Sequence, residues 1–210
     1  MFRVILATIT FLIIIISVST AQESQKAVFG IKSGINLSSF SASVNSESRA
    51  KVGLALGVYL KKQIGPKLFF RPELYYSNQG QKDNHLYPYG GPSIGSTVTN
   101  LHYLNIPCLF ELGNKISLQF GGQIGVLIAG TEKGTVASVD IDEKVTKVMT
   151  TADFALVVGA GYSFNRRINT GVRINYGITN IYNPEVESGF PVELPNVQNR
   201  VFHFYVGYSF

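Results

Sequence analysis

The stretch "DFALVVGAGYSF" (residues 153–164) alternates along its whole length. Phe154, Leu156, Val158, Ala160, Tyr162 and Phe164 stand on one side, and Asp153, Ala155, Val157, Gly159, Gly161 and Ser163 on the other. A two-residue period places successive side chains on opposite faces of a β-strand. Here the bulky and aromatic residues share one face, and small or polar residues share the other. A membrane strand of a β-barrel has this division, with the apolar face toward lipid and the small, polar face toward a narrow interior.

The same reading extends outward along the chain. Segments 28–37, 52–62, 68–77, 102–111, 116–128, 153–164, 168–178 and 201–210 all alternate, and most are near the ten-residue length of a tilted membrane strand. Short links, "QIGPK" (63–67), "LGNK" (112–115) and "NRR" (165–167), take turns with long ones at 38–51, 78–101, 129–152 and 179–200. This predicts an all-β fold, an eight-stranded antiparallel up-and-down transmembrane β-barrel with tight turns at one end and long loops at the other. A lipocalin-like barrel or a β-sandwich would also alternate, but each turns its apolar face inward. Gly, Ser, Asn and charged residues would line a poor apolar pocket. Tyr59, Tyr76, Tyr103, Tyr162, Tyr176 and Tyr208 lie near strand ends, where interfacial girdles of aromatic residues are expected.

The chain ends on "VFHFYVGYSF" (201–210), an aromatic strand with no cap. An open edge of this kind invites aggregation in water, and in lipid it would leave backbone groups unpaired. The final strand is therefore expected to close the ring by pairing with 28–37. At the other end, "MFRVILATITFLIIIISVSTAQ" has an early cation, an apolar run, and Ser19 and Ala21 placed for cleavage before Gln22. Residues 1–21 read as a signal peptide and 22–210 as the barrel domain. Loss of Arg3 lowers the formal net charge from +5 to +4. The remaining cations do not cluster on an element suited to nucleic acid. Lys61, Lys62, Lys67, Lys115, Arg166 and Arg167 fall at the short links, where long basic side chains can snorkel to lipid head groups. The single cysteine, Cys108, excludes an internal disulfide and falls on the lipid-facing set of its strand.

The segments "RPELYYSNQG" (71–80), "YLNIPCLFE" (103–111), "GAGYSF" (159–164) and the closing "GYSF" resemble the PorT-like outer-membrane β-barrel family of Gram-negative bacteria. The resemblance spans the chain beyond the signal peptide and implies an eight-stranded barrel in the outer membrane. Some members are associated with protein secretion, and no shared activity is implied. Asn105 stands where members often carry an acidic residue. A C-terminal aromatic strand ending in Phe also resembles the signal read by outer-membrane assembly machinery, which assigns that role to Phe202, Phe204, Tyr208 and Phe210.

Six ionisable residues, Lys32, Arg71, Glu73, Glu111, Asp153 and Arg173, fall on or at the ends of the inward face. Three cations against three anions predict a structural ion-pair network that fills the lumen, since buried charges need partners. A gated polar pathway is the alternative. No catalytic residue emerges: His203 and Ser209 share a face but lie roughly 20 Å apart along an extended strand, too far for a nucleophile and its base. "SVDIDEK" (138–144) gathers Asp140, Asp142 and Glu143 without the spacing or glycine of a calcium loop, so it reads as a solvated acidic turn. The glycines of "GGQIG" and "GAG" open no helix and fit barrel curvature better than a dinucleotide loop. No cofactor or metal is expected.

These features predict a multi-pass outer-membrane protein, monomeric by default, with periplasmic termini and four external loops. The primary expectation is a non-enzymatic binding, assembly or secretion-accessory protein acting through its loops. Tyr87, Pro88 and Tyr89 of "NHLYPYGGPSIG" (84–95) are the candidate contacts, because they offer rigid aromatic surface. The expected partners are outer-membrane lipids, the assembly machinery, and secreted or surface proteins. A small porin-type transporter is the alternative, and a lipid-modifying enzyme or protease a remote one.

Overall fold

The structure, a computed structural model, describes residues 27–41, 46–86, 93–182 and 196–210. The signal-peptide segment and the contacts expected of Tyr87, Pro88 and Tyr89 lie outside these residues. Among the described residues nine strands follow in chain order: β1 (Ala27–Phe40), β2 (Ser46–Gln63), β3 (Leu68–Leu86), β4 (Ser93–Leu112), β5 (Ile116–Val136), β6 (Val139–Lys144), β7 (Ala152–Ser163), β8 (Ile168–Gly177) and β9 (Asn199–Ser209). Eight of them form a closed antiparallel ring in the order β1-β2-β3-β4-β5-β7-β8-β9, while β6 pairs with β5 alone. Closure runs from Gly30↔Ser209 to Phe40↔Asn199, and the Phe210 amide donates to the Phe29 carbonyl at 2.9 Å. The terminal strand thus has no free edge.

Alternation is carried into space in the inverted sense. Leu54 is 67% exposed and Leu118 60%, whereas Lys32 is 1% exposed and Arg173 2%. Apolar side chains from all eight ring strands form an outer belt, and the inward positions are mostly polar, charged or glycine, with buried tyrosines and a few aliphatic residues such as Leu109, Val157 and Val201 among them. Cross-strand glycines make room for inward rings. A Cβ on Gly171 would lie 2.6 Å from the Tyr205 ring, and one on Gly30 would lie 2.3 Å from that of Tyr59.

Two expectations are corrected here. Much of 38–51, 78–101 and 129–152 is not loop: β2, β3, β4 and β5 continue beyond the belt, and β6 adds a hairpin return. The backbone keeps its two-residue period there, but polar residues such as Gln81, Lys82, Thr97, Asn100 and Lys133 occupy both faces. The hydropathy contrast therefore disappears although the ladder does not. β3 runs eight residues past Asn78 to Leu86, a polar wall roughly 20 Å tall once strand tilt is allowed for. Tyr59 and Tyr103 are also not girdle residues. Both are buried and inward-facing, because each has the parity of its strand's polar face.

At the end away from the short turns, the segment after β6 folds back over the mouth. The Val145 amide donates to Gly130, and the Leu127 amide to Thr151; Thr150 binds Ile181, which in turn binds Val197. Val145 and Met149 pack on the inward Leu101, Tyr103 and Leu127, with Phe40 and Tyr182 alongside. These residues form a buried apolar cluster at that end of the barrel.

Candidate functional site

The lumen is built in tiers, because inward residues of neighbouring strands meet at fixed register. Glu73 of β3 is at the centre. Its Oε1 accepts from Arg71 Nε and from Arg173 Nη2, each at 2.8 Å. Its Oε2 accepts from Lys32 Nζ at 2.6 Å and from Arg173 Nη1 at 2.8 Å. The Arg173 contact is bidentate and reaches across from β8, while Lys32 comes from β1. One carboxylate therefore joins three strands, and neither it nor its cations have meaningful exposure.

Toward the short turns, Glu111 of β4 accepts from Lys61 at 2.6 Å and from Arg71 Nη1 at 3.1 Å. Tyr59 shares a hydrogen bond with Ser209 Oγ at 2.7 Å and accepts from Asn169 Nδ2 at 2.8 Å. Gln119 ties the tiers together: it accepts from Arg173 Nε at 2.7 Å and donates to Glu111 and to the Tyr205 hydroxyl. Toward the opposite end, Tyr75 donates to Gln123, and His203 binds Asn36 at 2.6 Å while stacked between Tyr75 and Tyr205.

Four cations here meet only two carboxylates, and the faces of three tyrosines take up part of the excess. Lys32 lies 3.9 Å above Tyr75, Arg71 lies 4.0 Å above Tyr59, and Arg173 lies 4.5 Å above Tyr205. Such contacts strengthen when desolvated, reaching about 2 kcal/mol. The aromatic residues are thus electrostatic partners as well as filler.

Five of the six residues singled out in the sequence, Lys32, Arg71, Glu73, Glu111 and Arg173, converge in this network. Asp153 does not. It sits six residues along β7 from Gly159, the partner of Arg173, roughly 20 Å away along an extended strand. There it accepts from Thr179 at 3.3 Å. Its place is taken by Lys61, which its position at a short link would put at the lipid rim. Lys61 shares the parity of Gly57 and Tyr59, so the inward signal was present but was outweighed by its position at a turn. Tyr59, Tyr75, Gln119 and Tyr205 likewise have the inward parity of their strands.

The chemistry of the remaining candidates is plain. His203 and Ser209 are held by Asn36 and Tyr59 respectively and do not meet. Asp140 and Asp142 lie exposed on β6, bonded to Thr135 and Lys133. Among the described residues, no three His, Cys, Asp or Glu side chains converge as a metal site would require. Cys108 lies half-buried on the outward face. On β9, Phe204 and Tyr208 are exposed on the belt, with Phe202 beside Phe204, and the exposed Phe210 follows directly after the strand.

A family model described as outer membrane protein beta-barrel domain matches residues 20–183. No curated protein matches the sequence. Among solved structures, the chain is similar to a major outer membrane protein of Thermus thermophilus, at 12% identity and a TM-score of 0.52, with 88% of this chain and 99% of that one covered. It is also similar to Ail, the attachment invasion locus protein of Yersinia pestis, at 11% identity and a TM-score of 0.51, with the same coverage. Neisserial surface protein A shares 15% identity over 88% of this chain and 99% of that one, at a TM-score of 0.49. At these identities the likeness is one of fold.

Proposed function

Because the chain belongs to the outer membrane protein β-barrel family, we propose that it is a membrane-anchored binding or assembly protein that works through its external wall and loops, with a closed lumen. The observation that carries this reading is Glu73, which binds cations from β1, β3 and β8 across the barrel axis. Eight strands leave an interior just wide enough for side chains, and a carboxylate bonded to cations from opposite walls occupies that interior near its centre. Conduction would require breaking charge-assisted bonds that are each worth about 1.5–3 kcal/mol.

The reading places the short turns and both termini in the periplasm, since outer-membrane barrels carry short turns on that side and longer connections outside. Its likeness to PorT-like sequences makes a secretion-accessory role the specific form of the proposal. The lipid-facing belt meets outer-membrane lipids, Phe202, Phe204, Tyr208 and Phe210 engage the assembly machinery, and the wall, together with the candidate contacts Tyr87, Pro88 and Tyr89 outside the described residues, meets a secreted or surface protein. Neither catalysis nor nucleic-acid binding forms part of the proposal.

Planar-bilayer recording of the purified protein tests the lumen. No steady conductance is expected, and steady ion flow would replace this reading with the small-porin one. Photo-crosslinkers at Lys82 or Val98 on the wall test the surface. A discrete adduct from these positions, absent from a crosslinker at belt residue Leu118, supports the reading; no adduct from any wall position overturns it.

A further inference from the structure

At the short-turn end the barrel opens into a cavity of about 480 Å³, within the range of small-molecule sites. Four of its lining residues are cations: Lys61 and Arg71 from strands β2 and β3, Lys115 from the β4–β5 turn and Arg166 from the β7–β8 turn. No carboxylate lines it. Glu111, which binds Lys61 and Arg71, is also shared with Gln119. Lys115 and Arg166 have no ion pair among the described residues; Lys115 stands 5.7 Å from the Tyr162 ring.

The rest of the lining adds neutral donors. Asn165 uses its side-chain oxygen to accept from the Arg167 and Ile168 amides, which leaves its NH₂ group to donate. Asn114 and Ser163 also line the cavity. At its inner limit is Arg71, whose Nη2 reaches Asn169 only at 3.5 Å, the longest contact that guanidinium makes. The cavity therefore joins Lys61 and Arg71, which are ion-paired within the lumen, to Lys115 and Arg166 at the rim, which have no ion pair among the described residues. Positive charge of this density, in a concave site with low-dielectric walls, focuses potential on an anion.

We infer that this cavity is a binding site for a phosphate group carried on a small organic body. Guanidinium forks match phosphate oxygens bidentately, and lysine supplies a point charge beside them. The volume exceeds that of a bare phosphate, so a phosphate ester fills it better. A soluble phosphate ester and a phospholipid head group share that chemistry. The inference rests on the closed-lumen reading, which makes the cavity blind. The two fail separately: bilayer conductance refutes the closed lumen, and the following titration refutes the site.

The test uses the full barrel in neutral detergent at low salt, with backbone amide NMR shifts of residues 113–115 and 163–167 as the readout. Inorganic phosphate and glycerol 3-phosphate are titrated against a chloride series of equal ionic strength. Saturable shifts confined to these turns are expected, with glycerol 3-phosphate binding more tightly. The double variant Lys115→Gln/Arg166→Gln lies outside the lumenal network and should weaken binding about tenfold while its heat-modifiable gel mobility is retained. Shifts that rise linearly and match the chloride series overturn the inference, as does wild-type affinity in the double variant. Nanodiscs with and without phosphatidylglycerol assign the source. If the saturated shifts appear with phosphatidylglycerol alone, the ligand is a lipid head group; if they require added ester, it is soluble.

Discussion

Replacing Glu73 with Gln removes one charge from the centre of the barrel without changing its volume. Glu73 accepts four charge-assisted hydrogen bonds, two on each oxygen. Glutamine retains one acceptor oxygen, and its NH₂ group points donors at cations. Arg71 keeps Glu111 as a partner, but Lys32 and Arg173 have no other carboxylate within ion-pair distance among the described residues. Removing one member of a buried ion pair typically costs about 3–5 kcal/mol, and that range applies because the stranded cations are buried. Glu111→Gln provides the internal comparison. It frees Lys61, which is partly exposed and can be solvated, and Arg71, which retains Glu73, so about 1–2 kcal/mol is expected. The chain has no tryptophan, so unfolding in urea is best followed by far-UV circular dichroism of protein refolded in detergent. The transition midpoint should fall in the order wild type, Glu111→Gln, Glu73→Gln. A Glu73→Gln midpoint equal to that of the exposed control Asp142→Asn would refute the central role given to Glu73.

Three further outcomes are expected. Phe204, 40% exposed on the belt, replaced by Asp should lower the heat-modifiable folded fraction, at a cost below the roughly 2–4 kcal/mol of a midplane Lys or Arg; normal folded yield would mean the face is misassigned. Gly171→Ala should destabilise the barrel, because its Cβ would press on the ring of Tyr205 that covers Arg173, whereas Gly122→Ala meets nothing within 4 Å and should leave the urea midpoint unchanged. Protease added to intact cells should cut only within 38–51, 78–101, 129–152 or 179–200, and cleavage at 63–67 or 165–167 with the membrane sealed would reverse the proposed orientation.

What the sequence determined by itself was the membrane-spanning part of the fold. Period two with a bulky face and a small, polar face is a local property of each strand, and residues such as Leu156 and Gly159 declare it without reference to partners. Closure through the last strand was legible for the same reason, since an aromatic edge in lipid has nowhere else to pair. The wall above the belt was not legible, because strands polar on both faces carry no hydropathy signal and are held by neighbours such as Gln81↔Thr99. Parity could say that Lys61 and Tyr59 point inward. Only the register, with Glu111 opposite Gln119 and Arg173 opposite His203, decided which charges stand at one height. That is why Asp153, inward like the others, is left out of the network while Lys61 enters it. Facing is set within a strand, but meeting depends on the stagger between strands, and stagger is a property of the closed ring.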